Sequence, residues 1–217
     1  MAGDGAVSTL DVIGFRHGTD KASHGHDYLR IYEPLIPADV PVKLLEIGWY
    51  EGASMRTWRE YLHPESIVVG VDINQPAEPV DRVHFRKANA TTHEVEKVAD
   101  EFGPFDVIVD DGSHLSPDVV STFRLLWPYV EPGGLYIIED LHVSYHPDWY
   151  GWDPTRPTAG RTRRSGWTSM EYLKAIADDI HHGHAEAGPA SPQTVFGTGV
   201  ASIAFHPGVA ILRKKMA

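Results

Sequence analysis

The chain has 217 residues, no cysteine, and 19 basic against 30 acidic side chains, for a net charge of −11. Without cysteine there are no disulfides, zinc–thiolate sites or thiol nucleophiles. The acidic balance argues against nucleic acid as a general partner, because phosphate binding needs a basic face.

No apolar run approaches the roughly 20 residues of a membrane span, and residues 1–10 lack the basic and apolar regions of a signal peptide. A cytoplasmic protein with no membrane partner is therefore expected, and the length suits one domain with a single core. Residues 1–10 read as a frayed start. The run F-R-H-G-T-D-K-A-S-H-G-H-D-Y-L-R-I-Y-E-P-L-I follows. Thr19 or Ser23 is a candidate cap for a short helix carrying Tyr28, Ile31 and Tyr32 and ending before Pro37. Residues 1–36 thus form an N-terminal cap segment and residues 37–217 the main domain. The polar run around Thr19, Asp20 and Lys21 is either a solvated entry loop or a cap over a ligand.

Val42–Ile47 reads as a buried strand running into E-I-G-W-Y-E-G-A-S and a helix over Met55–Leu62. Gly48 and Gly52 bracket the turn, where glycine permits unusual backbone angles and close approach of a ligand; tight strand-to-helix turns need glycine in any case. The next strand, Ile67–Val71, ends in Asp72. An acid roughly 20 residues after such a turn is placed to grip ribose hydroxyls. A third strand, Val83–Lys87, runs out at Ala88 and Asn89, and Thr91 is a serviceable cap for a helix over Thr92–Glu101.

The stretch from Asp106 to Asp140 carries the strongest chemical signal. Two apolar runs, Phe105–Val109 and Leu135–Ile138, have the character of buried parallel strands. The first ends in Asp110 and Asp111, the second in Glu139 and Asp140, and His114 follows three residues after Asp111. Ligands of open α/β sheets bind beyond the carboxyl ends of the strands, and adjacent strands lie roughly 4.8 Å apart. These carboxylates and His114 therefore converge, and such an oxygen-rich cluster suits Mg²⁺ or a similar hard cation. The bland alternative is that the acids cap strand ends and helix N-termini. Between the runs, a helix beginning near Ser116-Pro117 turns Val120, Phe123, Leu126 and Trp127 toward the core, and Pro132-Gly133-Gly134 turns the chain into the second strand.

Residues 141–168 break the regularity. A connection this long is usually a lid, a binding loop or disorder, and Tyr145, Trp149, Tyr150, Trp152 and Trp167 argue against disorder. A substrate lid is expected, with Tyr145, Trp149 and Trp152 as its contacts; an aromatic flap over the core is the alternative. Ser169–His182 reads as an amphipathic helix. Gln193–Phe196, Val200–His206 and Val209–Leu212 read as strands, the last two joined by a tight turn at His206-Pro207-Gly208.

This order of elements resembles the class I S-adenosylmethionine-dependent methyltransferases, a Rossmann-like, doubly wound, seven-stranded α/β sheet, mostly parallel with a C-terminal antiparallel hairpin. The segments L-L-E-I-G-W-Y-E-G-A-S-M-R-T-W-R-E-Y, F-D-V-I-V-D-D-G-S-H and P-G-G-L-Y-I-I-E-D-L are similar to those of the Mg²⁺-dependent macrolide-sugar O-methyltransferases of the mycinamicin and macrocin type. H-G-T-D-K with a downstream Y-x-x-I-Y-E also recurs in that family. The resemblance implies that Asp111, Glu139 and Asp140 bind Mg²⁺, that His114 is the catalytic base, and that Glu46, Gly48 and Asp110 line the methionine part of the cofactor, with Gly52 of the turn also cofactor-binding. It further implies that Asp72 holds the ribose and Asn89, where relatives often carry Asp, the adenine edge. The substrate implied is a small-molecule glycoside or sugar, with a homo-oligomer left open. A phenol- or catechol-directed methyltransferase is the runner-up. A nicotinamide-dependent oxidoreductase is disfavoured by the missing G-x-G-x-x-G.

Overall fold

A computed structural model of the chain describes residues 9–145, 168–182 and 199–217. Seven strands form one sheet in the order β3-β2-β1-β4-β5-β7-β6. They are β1 (Lys43–Ile47), β2 (Ile67–Asp72), β3 (Val83–Lys87), β4 (Phe105–Asp110), β5 (Val130–Ile138), β6 (Val200–His206) and β7 (Val209–Lys214). The first five run parallel, while β7 lies antiparallel to both β5 and β6. The doubly wound sheet with its terminal antiparallel hairpin is the expected one.

Helices α1 (Thr9–His17), α2 (Leu29–Tyr32) and α3 (Ala53–Tyr61) cover one face. There Leu10, Leu29, Tyr32 and Trp58 pack with Leu44, Val107, Val109 and Ile137. Helices α4 (Glu94–Phe102), α5 (Ser116–Leu126) and α6 (Ser169–His182) cover the other. There Val95, Phe123 and Ile176 pack with Leu45, Ile108, Tyr136 and Ile138. Apolar residues at alternate strand positions thus feed two cores, one per face.

Three expectations change. The chain is helical from Thr9, not frayed to residue 10, because Leu10 and Ile13 have a core to enter. The α4 helix starts at Glu94 with no side-chain cap bond, since Thr91 instead bonds to Asn89 Oδ1. Helix α5 buries Val119 beside Phe123 and Leu126, while Val120 stays only partly covered. In addition, β5 already pairs at Val130, with a register shift opposite Phe105–Val107, so Pro132-Gly133-Gly134 lies inside the strand as an irregularity. The segment 193–196, read above as a strand, lies outside the described residues.

Candidate active site

The carboxyl ends of β1, β2, β3 and β4 open onto a cavity of about 980 Å³. Among its lining residues are Lys21, Gly48, Asp72, Asn89, Asp110, Asp111, His114 and Asp140. Gly48 adopts φ +97°, and a Cβ there would sit 2.2 Å from the carbonyl oxygen of Asp111. Its N–H donates to Val71 O at 2.8 Å, while Asp111 N–H donates to Ile47 O at 3.0 Å. The β1 turn is therefore wedged between its two neighbours, and only glycine fits. Gly52, the αL residue before α3, is not among the lining residues.

At the end of β2 the Asp72 carboxylate accepts Trp49 N–H at 2.9 Å and Asn74 N–H at 2.7 Å. It holds both the glycine turn and the loop after β2 while still facing the cavity. Asn89 Oδ1 accepts both the N–H and the hydroxyl of Thr91, at 2.9 and 2.8 Å. That leaves the Asn89 amide N–H groups as its free hydrogen-bonding capacity.

Strand alternation splits the first acidic pair. Asp110 turns to the face of α4, α5 and α6, beside the Tyr136 hydroxyl. Burial pushes its carboxyl up to about 7, against the opposing pull of Gly112 N–H. Glu46, Asp111 and Glu139 gather on the opposite side around Lys21, whose side chain is 2% exposed. Lys21 Nζ donates to Glu139 Oε2 at 2.9 Å, contacts Asp111 Oδ2, and lies 3.6 Å from Glu46 Oε1. Burial alone would discharge this lysine; Glu139, Glu46 and Asp111 outweigh it and keep the ammonium charged. One cation among three buried carboxylates still leaves surplus negative charge, so burial raises Glu46, Asp111 and Glu139 above the usual carboxylate range despite Lys21. Glu46 also accepts the Trp58 indole N–H.

Asp111, His114 and Asp140 each offer a ligand atom within 4.8 Å of the others, the arrangement of a small metal site. His114 Nε2 stands 3.9 Å from Asp111 Oδ1 and 3.7 Å from Asp140 Oδ2. His114 (φ 59°) and Asp140 (φ 52°) both hold left-handed backbone conformations, which non-glycine residues keep where surrounding structure enforces them. The other Asp140 oxygen, Oδ1, accepts the Tyr28 hydroxyl at 2.9 Å, and Glu139 Oε1 accepts Tyr32 at 2.9 Å.

The structure thus brings Gly48, Asp72, Asn89, Asp110, Asp111, His114 and Asp140 to one cavity. Glu46 and Glu139 stand behind its wall: Glu139 is held by Lys21 and Tyr32, while Glu46 accepts Trp58 and keeps Oε1 without a hydrogen-bond donor, 3.6 Å from Lys21 Nζ. Tyr145 is half-exposed and apart from the lining residues. Trp149 and Trp152, with most of the expected lid, lie outside the described residues. Lys21, Tyr28 and Tyr32 are the participants that residue-by-residue reading missed. Their signals were the recurring H-G-T-D-K and Y-x-x-I-Y-E segments and the four-residue spacing that puts Tyr28 and Tyr32 on one side of a helical turn.

A family model described as a methyltransferase domain matches residues 45–141. An 8-demethyl-8-alpha-L-rhamnosyl tetracenomycin-C 2'-O-methyltransferase of Streptomyces olivaceus is 35% identical over 99% of this chain and 57% of its own length. An L-olivosyl-oleandolide 3-O-methyltransferase of Streptomyces antibioticus is 35% identical over 84% of this chain and 48% of its own. The MycE methyltransferase of the mycinamycin biosynthetic pathway, solved with Mg, SAH and mycinamycin VI, superposes with a TM-score of 0.81 at 28% identity, over 95% of this chain and 53% of that one. The chain spans about half the length of the curated relatives it matches. With the domain match, the sheet order and these relatives in agreement, the chain has the fold of the class I methyltransferases and carries their methyltransferase domain over residues 45–141.

Proposed function

We propose that this protein is an O-methyltransferase that moves a methyl group from S-adenosylmethionine to a sugar hydroxyl of a glycosylated natural product, with a divalent cation such as Mg²⁺ at Asp111 and Asp140. The observation that carries the reading is the convergence of Asp111, His114 and Asp140 on the wall of a cavity at the carboxyl ends of the strands. The sugar as acceptor is supported by the relatives, whose names are sugar O-methyltransferases of antibiotics.

The residues fit the groups. Asp111 Oδ1 and Asp140 Oδ2 face His114 and are free of Lys21 and Tyr28, so two hard oxygen donors are available to a hard cation. Glu139, 2% exposed and behind the cavity wall, accepts Lys21 on one oxygen and Tyr32 on the other, and would join through the lone pairs that remain. Asp72 offers its remaining lone pairs to ribose hydroxyls, the Asn89 amide offers donors to adenine ring nitrogens, and Gly48 lets the backbone approach the ligand. When bound, the cation supplies Lewis acidity toward the acceptor hydroxyl and the cofactor an electrophilic methyl group. Within this frame His114 takes the hydroxyl proton at Nε2, while the two carboxylates orient the acceptor and stabilise the imidazolium that results.

The same geometry supports a second role for His114, as a third cation ligand. The experiment separates the two. Purified protein is incubated with S-adenosylmethionine, Mg²⁺ and a panel of glycosylated polyketides, and methyl transfer is followed by mass spectrometry. Activity is expected on a sugar-bearing acceptor and is expected to vanish after EDTA. His114→Ala should lower turnover by about 10²–10⁴ with Mg²⁺ affinity kept if the residue is the base, and with Mg²⁺ affinity lost if it is a ligand. Full turnover after exhaustive EDTA treatment would rule out the cation site, and transfer only to aglycone phenols would replace the sugar with a phenol acceptor.

A further inference from the structure

Glu46, Asp111 and Glu139 are gathered at one place, and among the described residues the lysine that stands between all three is Lys21, from the connection between α1 and α2. The same connection and helix supply the Tyr28 and Tyr32 hydroxyls to Asp140 and Glu139. Each of the two candidate ion-binding carboxylates therefore has its oxygens divided. Asp111 gives Oδ2 to Lys21 and turns Oδ1 toward His114; Asp140 gives Oδ1 to Tyr28 and turns Oδ2 toward His114. Three carboxylates drawn this close repel one another unless a cation stands among them. Lys21 supplies that cation from the chain itself, so the acidic cluster is shaped before any ion arrives. Its positive charge also stands on Asp111, where it opposes an incoming cation.

We propose that Lys21 is a built-in counter-charge, a positioning residue that preforms the acidic site and sets how tightly it takes a divalent cation. This inference rests on the proposed cation site at Asp111 and Asp140. It makes cation binding weaker than four bare carboxylates would give and keeps the fold independent of the ion. A merely structural lysine would contribute stability alone. A counter-charge changes ion affinity in a direction set by sign: losing the lysine tightens binding, and losing a carboxylate behind it loosens binding.

The test uses the full chain, stripped of metal and without cofactor or acceptor. Mg²⁺ binding is measured by calorimetry, and thermal melts are recorded in EDTA and in Mg²⁺, for the wild type, Lys21→Met and Glu46→Gln. Lys21→Met is expected to melt lower than the wild type in EDTA, to bind Mg²⁺ about tenfold tighter or more, and to gain more from Mg²⁺ than the wild type does. Glu46→Gln keeps an acceptor for Trp58 and touches neither Asp111 nor Asp140; it is expected to bind Mg²⁺ several-fold more weakly. It decides the matter alone if Lys21→Met does not fold. Unchanged or weaker Mg²⁺ affinity in Lys21→Met, or unchanged affinity in Glu46→Gln, overturns the counter-charge. No Mg²⁺ binding by the wild type overturns the cation site and this inference together.

Discussion

Asp72 shows how one side chain carries two burdens. Its two oxygens hold the backbone N–H groups of Trp49 and Asn74, and the same carboxylate lines the cavity. Asp72→Ala is expected to weaken S-adenosylmethionine binding by roughly tenfold or more, since a hydrogen bond to a charged group is worth about 1.5–3 kcal/mol. It should also lower the melting temperature of the ligand-free protein. Calorimetry beside a thermal melt checks both, and an unchanged affinity would leave Asp72 a purely structural residue. Asp11 is a second residue whose charge is put to use. It accepts Ser23 N–H at 2.7 Å and pairs with Arg30 at 3.1 Å. Burial pushes its carboxyl up, but Ser23 and Arg30 together hold it below the usual 3.8. A depressed folded-state value contributes stability above the unfolded-state pKa and loses it as pH falls through the folded one. The melting-temperature gap between the wild type and Asp11→Asn should therefore be present at neutral pH and shrink below about pH 4, the usual range for Asp. A gap that does not change with pH would mean that shape, not charge, ties Asp11 to its partners.

At the scale of elements, the glycine turn after β1 and the alternation of the strands build the site. Gly48 is squeezed between Val71 on β2 and the Asp111 carbonyl beyond β4. Gly48→Ala should lose roughly 1–3 kcal/mol to backbone strain alone, and more from the displaced Asp111. Denaturant unfolding measures the loss, and a stability equal to the wild type would show that the turn relaxes freely. Alternation does the rest: adjacent residues at a strand end point to opposite faces. Asp110 thus goes to the side of Tyr136, and Asp111 to the side of Lys21. The acidic pairs were legible as pairs, but which partner each member meets follows from the helices that cover each face.

At the scale of the whole molecule, the segment before β1 is part of the core. Leu10, Leu29, Tyr32 and Ile36 are each 0% exposed, and they pack with Leu44, Val109 and Ile137 of the sheet. The hairpin turn at Gly208 reaches the same region, with a Cβ there only 2.3 Å from the Tyr28 hydroxyl. Deleting residues 1–36 should therefore abolish cooperative melting, because it uncovers that core face and leaves Glu46, Asp111 and Glu139 without Lys21. Calorimetric unfolding of the truncated chain is the check; a cooperative transition near the wild-type temperature would make the segment a separable cap. Among the described residues no helix is long and apolar enough to cross a membrane.

By itself the sequence determined the strands, the glycine turn, the acids at the strand ends and the final hairpin, because each is written in local composition: apolar runs of strand length, glycine where φ is positive, and a turn at His206-Pro207-Gly208. The motifs also carried the resemblance to the methyltransferases. What only the tertiary structure decided is the partner of each charge. Lys21 reaches Asp111 and Glu139 across separations of 90 and 118 residues, and Tyr28 reaches Asp140 across 112. No periodicity records such contacts. A lysine in a polar run reads as a solvated loop or as a cap over a ligand until the chain folds back on the sheet, and contact with three carboxylates then makes it part of the site.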